Sequence, residues 1–79
     1  MIALYCPHLP PYPGGVADHT LVLARALETR GARPLVLGLR GDPALLAPLR
    51  CLTGLHPGDV AGAARSEGAD SVLIQYVPF

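Results

Sequence analysis

The chain contains no lysine. Its positive charge rests on six arginines, matched by six acidic residues spread singly from Asp18 to Asp70, so the formal net charge is zero. Such a balance leaves no basic stripe for nucleic acid and no polybasic patch for a membrane surface. Cysteine is scarce as well. Cys6 and Cys51 stand alone, outside any CxxC or Cys/His spacing, so the sequence offers no metal-ligand motif, and buried thiols in a reducing cytoplasm are the expected state. Long hydrophobic runs are also missing. The run Ile2 to Cys6 has no cationic region before it and is ended by Pro7, too early for a signal peptide or a membrane span. A cytoplasmic location is therefore expected. Two nucleotide-binding motifs are absent: no G-x-G-x-x-G follows the first apolar run, and no G-x-x-x-x-G-K-[ST] occurs. Neither a standard dinucleotide fold nor a P-loop is indicated.

What is present is a core-forming composition. Apolar residues make up 51% of the 79 residues and charged ones 15%, a balance that favours packing over disorder. A chain of this length has room for one small core and buries only roughly 60% of the surface that its unfolded form exposes.

The order of elements follows from periodicity and punctuation. Ile2-Ala3-Leu4-Tyr5-Cys6 is continuously apolar, the pattern of a strand covered on both faces. Pro7 to Gly15 holds four prolines and two glycines and must be a loop. Val16, Thr20, Leu23, Ala24 and Leu27 then recur on one helical face, which predicts a helix over residues 16–30, with Asp18 in its first turn, Arg30 in its last and Gly31 closing it. Residues 34–39 read as a second buried strand that starts at a proline. Arg40 to Pro57 is irregular; Asp42 before Pro43 can cap a short turn over Ala44 to Ala47, which Pro48 interrupts. Residues 58–67 suit a second helix closed by Gly68, and residues 71–76 a third strand stopped by Pro78. The predicted fold is α/β in the order βαβαβ, a partial doubly wound, Rossmann-like parallel sheet. No repeat, low-complexity tract or linker interrupts the chain, so residues 1–79 are expected to be the first part of one domain, whose remaining strands would lie beyond Phe79.

Chemistry concentrates where the first strand ends. Gly14 and Gly15 lead into a helix start, which presents unpaired backbone N–H groups and the positive end of the helix dipole to an anion such as a diphosphate. A glycine pair before a helix also serves as plain turn chemistry. Arg40 and Asp42, after the second strand, could contact a ribose or belong to a solvated loop. Tyr12 and the pair Gln75 and Tyr76 emerge at the same sheet edge, where each could meet a ligand or be a satisfied loop residue. His19 falls on the first turn of the helix, within reach of the same edge or in a surface role.

The segment PPYPGGVADHTLVLARALETRGARPLVL resembles the opening of family-four, or group-one, glycosyltransferases of GT-B fold. Those proteins open with a strand, a Pro-rich loop ending Gly-Gly-Val or Gly-Gly-Ile, and a helix with a Leu-Ala-x-x-Leu-x-x-x-Gly pattern, here Leu23-Ala24-Arg25-Ala26-Leu27 running on to Gly31. The similarity continues through Gly68-Ala69-Asp70 to Gln75-Tyr76-Val77-Pro78. It implies a retaining, metal-independent transfer of a sugar from a nucleotide-diphospho-sugar to a glycan or lipid-linked acceptor, with the donor as substrate and no cofactor. On that resemblance Gly14, Gly15 and Val16 lie opposite the donor diphosphate, while Tyr12, His19, Gln75 and Tyr76 are candidates for the acceptor side. It also implies a C-terminal Rossmann-like domain, carrying the nucleotide site and a pair of glutamates, that these 79 residues do not contain. The fragment alone is then expected to be inactive. The competing expectations are a stand-alone, non-catalytic Rossmann-like binding module and a truncated product without function.

Overall fold

The structure is a computed structural model that describes residues 1–12 and 14–75. Among the described residues four parallel strands form one sheet: β1 (Ile2–Tyr5), β2 (Leu35–Leu37), β3 (Arg50–Leu52) and β4 (Ser71–Ile74), in the spatial order β3-β2-β1-β4. Two helices, α1 (Gly15–Thr29) and α2 (Val60–Ser66), supply the crossovers from β1 to β2 and from β3 to β4. The α/β class and the parallel sheet agree with the sequence reading, and the arrangement is compatible with part of a Rossmann-like fold.

The alternation of side chains along β1 explains why there are two layers of packing. Ile2, Leu4 and Cys6 join Val36, Leu46, Leu49 and the α1 residues Ala17 and Ala24 on one face. Ala3 and Tyr5 join Leu35, Leu37 and the α2 residues Val60 and Ala64 on the other. The helices therefore cover opposite faces, and β1 and β2 are buried on both sides, as their unbroken apolar runs require. Each large apolar side chain so buried contributes about 1.5–3 kcal/mol, which makes these two strands the anchor of the fold.

Several boundaries move from their expected places. The helix expected over 16–30 begins one residue earlier and ends at Thr29; Arg30 lies just past it, and its N–H donates to the carbonyls of Ala26 and Leu27 at 3.2 and 3.1 Å. Gly31, at φ 87°, takes the left-handed conformation that closes the helix. The second strand is shorter than 34–39, because beyond Leu37 the chain turns to pair with the loop after β1. The second helix is shorter than 58–67: it begins at Val60, after a 3-10 turn, Pro57–Asp59, and ends at Ser66. The segment left irregular contains β3, a strand that the sequence reading missed; Cys51 and Leu52 are only half-buried there, and its pairing with β2 makes the strand. The expected Asp42 cap is present: its carboxylate accepts from Ala44 N–H at 3.0 Å at the head of a 3-10 turn, Pro43–Leu46. Of the third expected strand, Ser71–Ile74 is formed, and Tyr76 to Pro78 lie outside the described residues.

Candidate functional site

All four strands point the same way, so their carboxyl ends share one edge of the sheet. The strand order reverses between β1 and β4: the chain moves outward from β1 to β2 to β3, then returns through α2 to the other side of β1. Ligands of open α/β sheets bind at such a reversal, in the crevice outside the strand ends. The loop that runs from Cys6 to Gly14 leaves β1 at this point and feeds α1. Gln75 leaves β4 beside it, its N–H donating to the Tyr5 carbonyl at 2.7 Å and extending the β1–β4 ladder by one step.

At the start of α1 the first helical hydrogen bond runs from Asp18 N–H to the Gly14 carbonyl at 3.2 Å. Among the described residues no side chain caps this end, and the N–H groups of Gly15, Val16 and Ala17 have no partner within the helix. Gly14 is extended, at φ 163° and ψ 136°, a conformation open to any residue. A β-carbon built at Gly14 or at Gly15 would meet nothing within 4 Å. Neither glycine is demanded by backbone conformation or by packing within the described residues. The positive helix end is partly offset by Asp18, exposed in the first turn.

The other expected site residues separate into two groups. Gln75 is half-buried at the adjoining ends of β1 and β4, and Val16 is half-buried where it packs against the α1 face of the core. Tyr12 and His19 are exposed. Tyr12 sits beside His8, their rings 6.0 Å apart at 39°. His19 makes no hydrogen bond or ion pair among the described residues. Tyr76 lies outside them.

The loop is not loose. Leu39 and Arg40 donate their N–H groups to the Pro7 carbonyl at 3.0 and 2.9 Å, Leu9 donates to Arg40 at 2.8 Å, and Asp42 donates to Pro10 at 2.8 Å. Leu9 is fully buried between Gly38 and Gly41, where β-carbons would approach its side chain to 2.6 and 2.7 Å. These two glycines hold the Pro-rich loop in place. Sequence reasoning passed them over, although Gly38 and Gly41 bracket the segment after β2 and Leu9 is a lone apolar residue among prolines.

The titratable groups beneath this edge are kept neutral. Burial pushes the Cys6 thiol up, against hydrogen bonds to the His8 carbonyl and Thr20 that pull it down. Burial likewise raises the Tyr5 phenol, with smaller contributions from Cys6 and Asp59, and the Tyr5 hydroxyl donates to the Leu55 carbonyl at 3.0 Å. Burial raises Cys51 to about 11. Both cysteines are free thiols, Cys6 buried as expected and Cys51 only half-buried because β3 is an edge strand. None of the three is poised as a nucleophile or base near neutral pH. No described helix is long and apolar enough to cross a membrane. Comparison with known proteins finds no matching family model, no matching curated protein and no matching solved structure.

Proposed function

We propose that this chain forms the acceptor-side wall of a glycosyltransferase that moves a sugar from a nucleotide-diphospho-sugar to a glycan or lipid-linked acceptor in the cytoplasm. The observation that carries the reading is the glycine pair at the head of α1. Among the described residues Gly14 and Gly15 have open space where side chains would stand, and glycine costs conformational entropy that folding must overcome. A ligand drawn close to the backbone gives that cost a purpose. The uncapped N–H groups of Gly15, Val16 and Ala17 supply donors for a diphosphate, and the helix dipole favours its charge.

In transfer from such a donor the diphosphate leaves with growing negative charge. Donors fixed before the reaction stabilise that charge without reorganising. The part of these residues is to bind and orient the diphosphate; Gln75, at the neighbouring strand end, borders the crevice in which the sugar would sit. A closed, water-excluding cleft needs a second wall, supplied in this reading by a C-terminal Rossmann-like domain. The 79-residue chain by itself is therefore expected to bind weakly and to transfer nothing.

The test is a Gly14→Ala/Gly15→Ala double variant of the chain, titrated with a nucleoside-diphosphate hexose and followed by phosphorus NMR. The fold has room for both methyl groups among the described residues, so thermal stability should change by no more than about 1 kcal/mol, the loss of the glycine N-cap at Gly14 being offset by the better helix former at Gly15. Binding should weaken by about tenfold as the methyl groups block close approach. Unchanged binding with an intact fold would sink the proposal, as would sugar transfer by the chain alone.

A further inference from the structure

A second cluster stands at the carboxyl ends of β1 and β2, on residues that precede the glycine pair in the loop after β1 and on the segment after β2. His8 and Arg40 are parallel bridge partners that continue the register of β1 and β2 beyond their last paired residues, Tyr5 and Leu37. Their side chains leave neighbouring backbone positions, and both residues are exposed. Tyr12, also exposed, sets its ring beside that of His8, with centroids 6.0 Å apart. Two adjacent rings and an arginine whose backbone bridges to one of them thus belong to one end of the sheet.

The support beneath them is rigid. Four backbone hydrogen bonds, from Leu9, Leu39, Arg40 and Asp42, tie the two loops together at 2.8–3.0 Å, and buried Leu9 pins them between Gly38 and Gly41. These main-chain groups are spent on each other, so the side chains are what the loops present outward. Arg40 makes no ion pair among the described residues, where the pairs are Met1 with Asp70 and Arg50 with Glu67. The nearest acid in sequence, Asp42, directs its carboxylate to Ala44 N–H.

We infer that His8, Tyr12 and Arg40 form a binding subsite for an anionic sugar, whose phosphate or carboxylate pairs with the Arg40 guanidinium while its ring lies against the Tyr12 and His8 rings. A guanidinium offers a planar fork of donors that matches either anion in a bidentate way. Aromatic faces accept the apolar face of a pyranose, and the phenol hydroxyl and imidazole add directed hydrogen bonds. Calling this ligand the acceptor rests on the glycosyltransferase reading; the binding itself does not.

The full 79-residue chain is tested by saturation-transfer NMR with a hexose monophosphate, a hexuronate and the neutral hexose. Both anionic sugars should bind, and the neutral hexose should bind at least about tenfold more weakly. Arg40→Gln should lower the affinity for both anions by about tenfold or more, and Tyr12→Ala should weaken the ring contacts of all three sugars. Arg33→Gln, which removes one positive charge outside the cluster, serves as the control. Equal loss in Arg33→Gln and Arg40→Gln would reduce the effect to bulk charge and overturn the subsite. Binding that favours the neutral hexose would do the same. If only one anion binds, that anion is the ligand class and the subsite stands. Circular dichroism of each variant separates lost binding from lost fold. The Gly14→Ala/Gly15→Ala variant should leave binding of the hexose monophosphate and the hexuronate unchanged while weakening that of the nucleoside-diphosphate hexose by about tenfold, so either inference can fail without the other.

Discussion

Leu9 lies in a loop with four prolines and is nonetheless fully buried. Its side chain fills the space that Gly38 and Gly41 leave vacant, and Gly41 has φ 154°, a conformation that side chains rarely adopt. At Gly38 an added β-carbon would stand 2.6 Å from Leu9 Cδ1 and 2.9 Å from the Cys6 carbonyl oxygen. The leucine end can shift, but the carbonyl belongs to the backbone at the end of β1 and cannot. Gly38→Ala is therefore expected to destabilise the chain by about 1–3 kcal/mol, as overpacking does. A urea melt should show a lower midpoint for Gly38→Ala and little change for Gly14→Ala, where a β-carbon meets nothing. Equal melts would mean that the loop is not held by this contact.

At the level of elements, α1 and α2 persist for different reasons. The first is long, ends on a left-handed glycine and lays Ala17, Thr20 and Ala24 against the sheet; the buried Thr20 hydroxyl is satisfied by the Val16 carbonyl at 2.7 Å. The second has seven residues with Gly62 among them, too short to stand without tertiary support. Burial of Val60 and Ala64 between this helix and the sheet holds it. Gly62 faces open space, so Gly62→Ala should restrict the unfolded chain without strain in the folded one, and stabilise by about 0.5–1 kcal/mol. Differential scanning calorimetry should record a higher melting temperature. A lower one would show that the helix is not regular at that position.

The whole molecule carries two unequal sheet edges. β3 ends one side with Arg50, which pairs with Glu67 at the end of α2. Charge of that kind blunts an edge against further pairing. β4 ends the other side with Leu73 and Ile74, 42% and 56% exposed. Their register partners Leu4 and Tyr5 lie on opposite faces of the sheet, so β4 presents apolar side chains on both faces, with Val72 half-buried against the α2-side core and Leu73 and Ile74 left exposed. A lone edge of this character invites pairing with other chains. The isolated chain is expected to self-associate at micromolar to millimolar concentrations, and Ile74→Lys should shift it toward monomer in sedimentation velocity. A stable, monodisperse chain with native β4 would favour the stand-alone binding module over the glycosyltransferase wall.

The buried strands are legible in the chain alone, because Ile2 to Tyr5 and Leu35 to Leu37 are apolar without interruption, and so is α1, whose one-sided periodicity and closing Gly31 agree. The sequence also marked Asp42 as a cap and the Gly14-Gly15 step as the entrance to a helix. β3 was decided by tertiary structure: three residues, Arg50–Leu52, carry no periodicity, and their hydrogen bonds exist only because β2 offers an open edge. The bridge between His8 and Arg40 was decided in the same way, since thirty-two positions separate residues that meet only when β1 and β2 pair in register. Local pattern records what each segment must bury; which segments then stand side by side depends on a sheet that no single segment encodes.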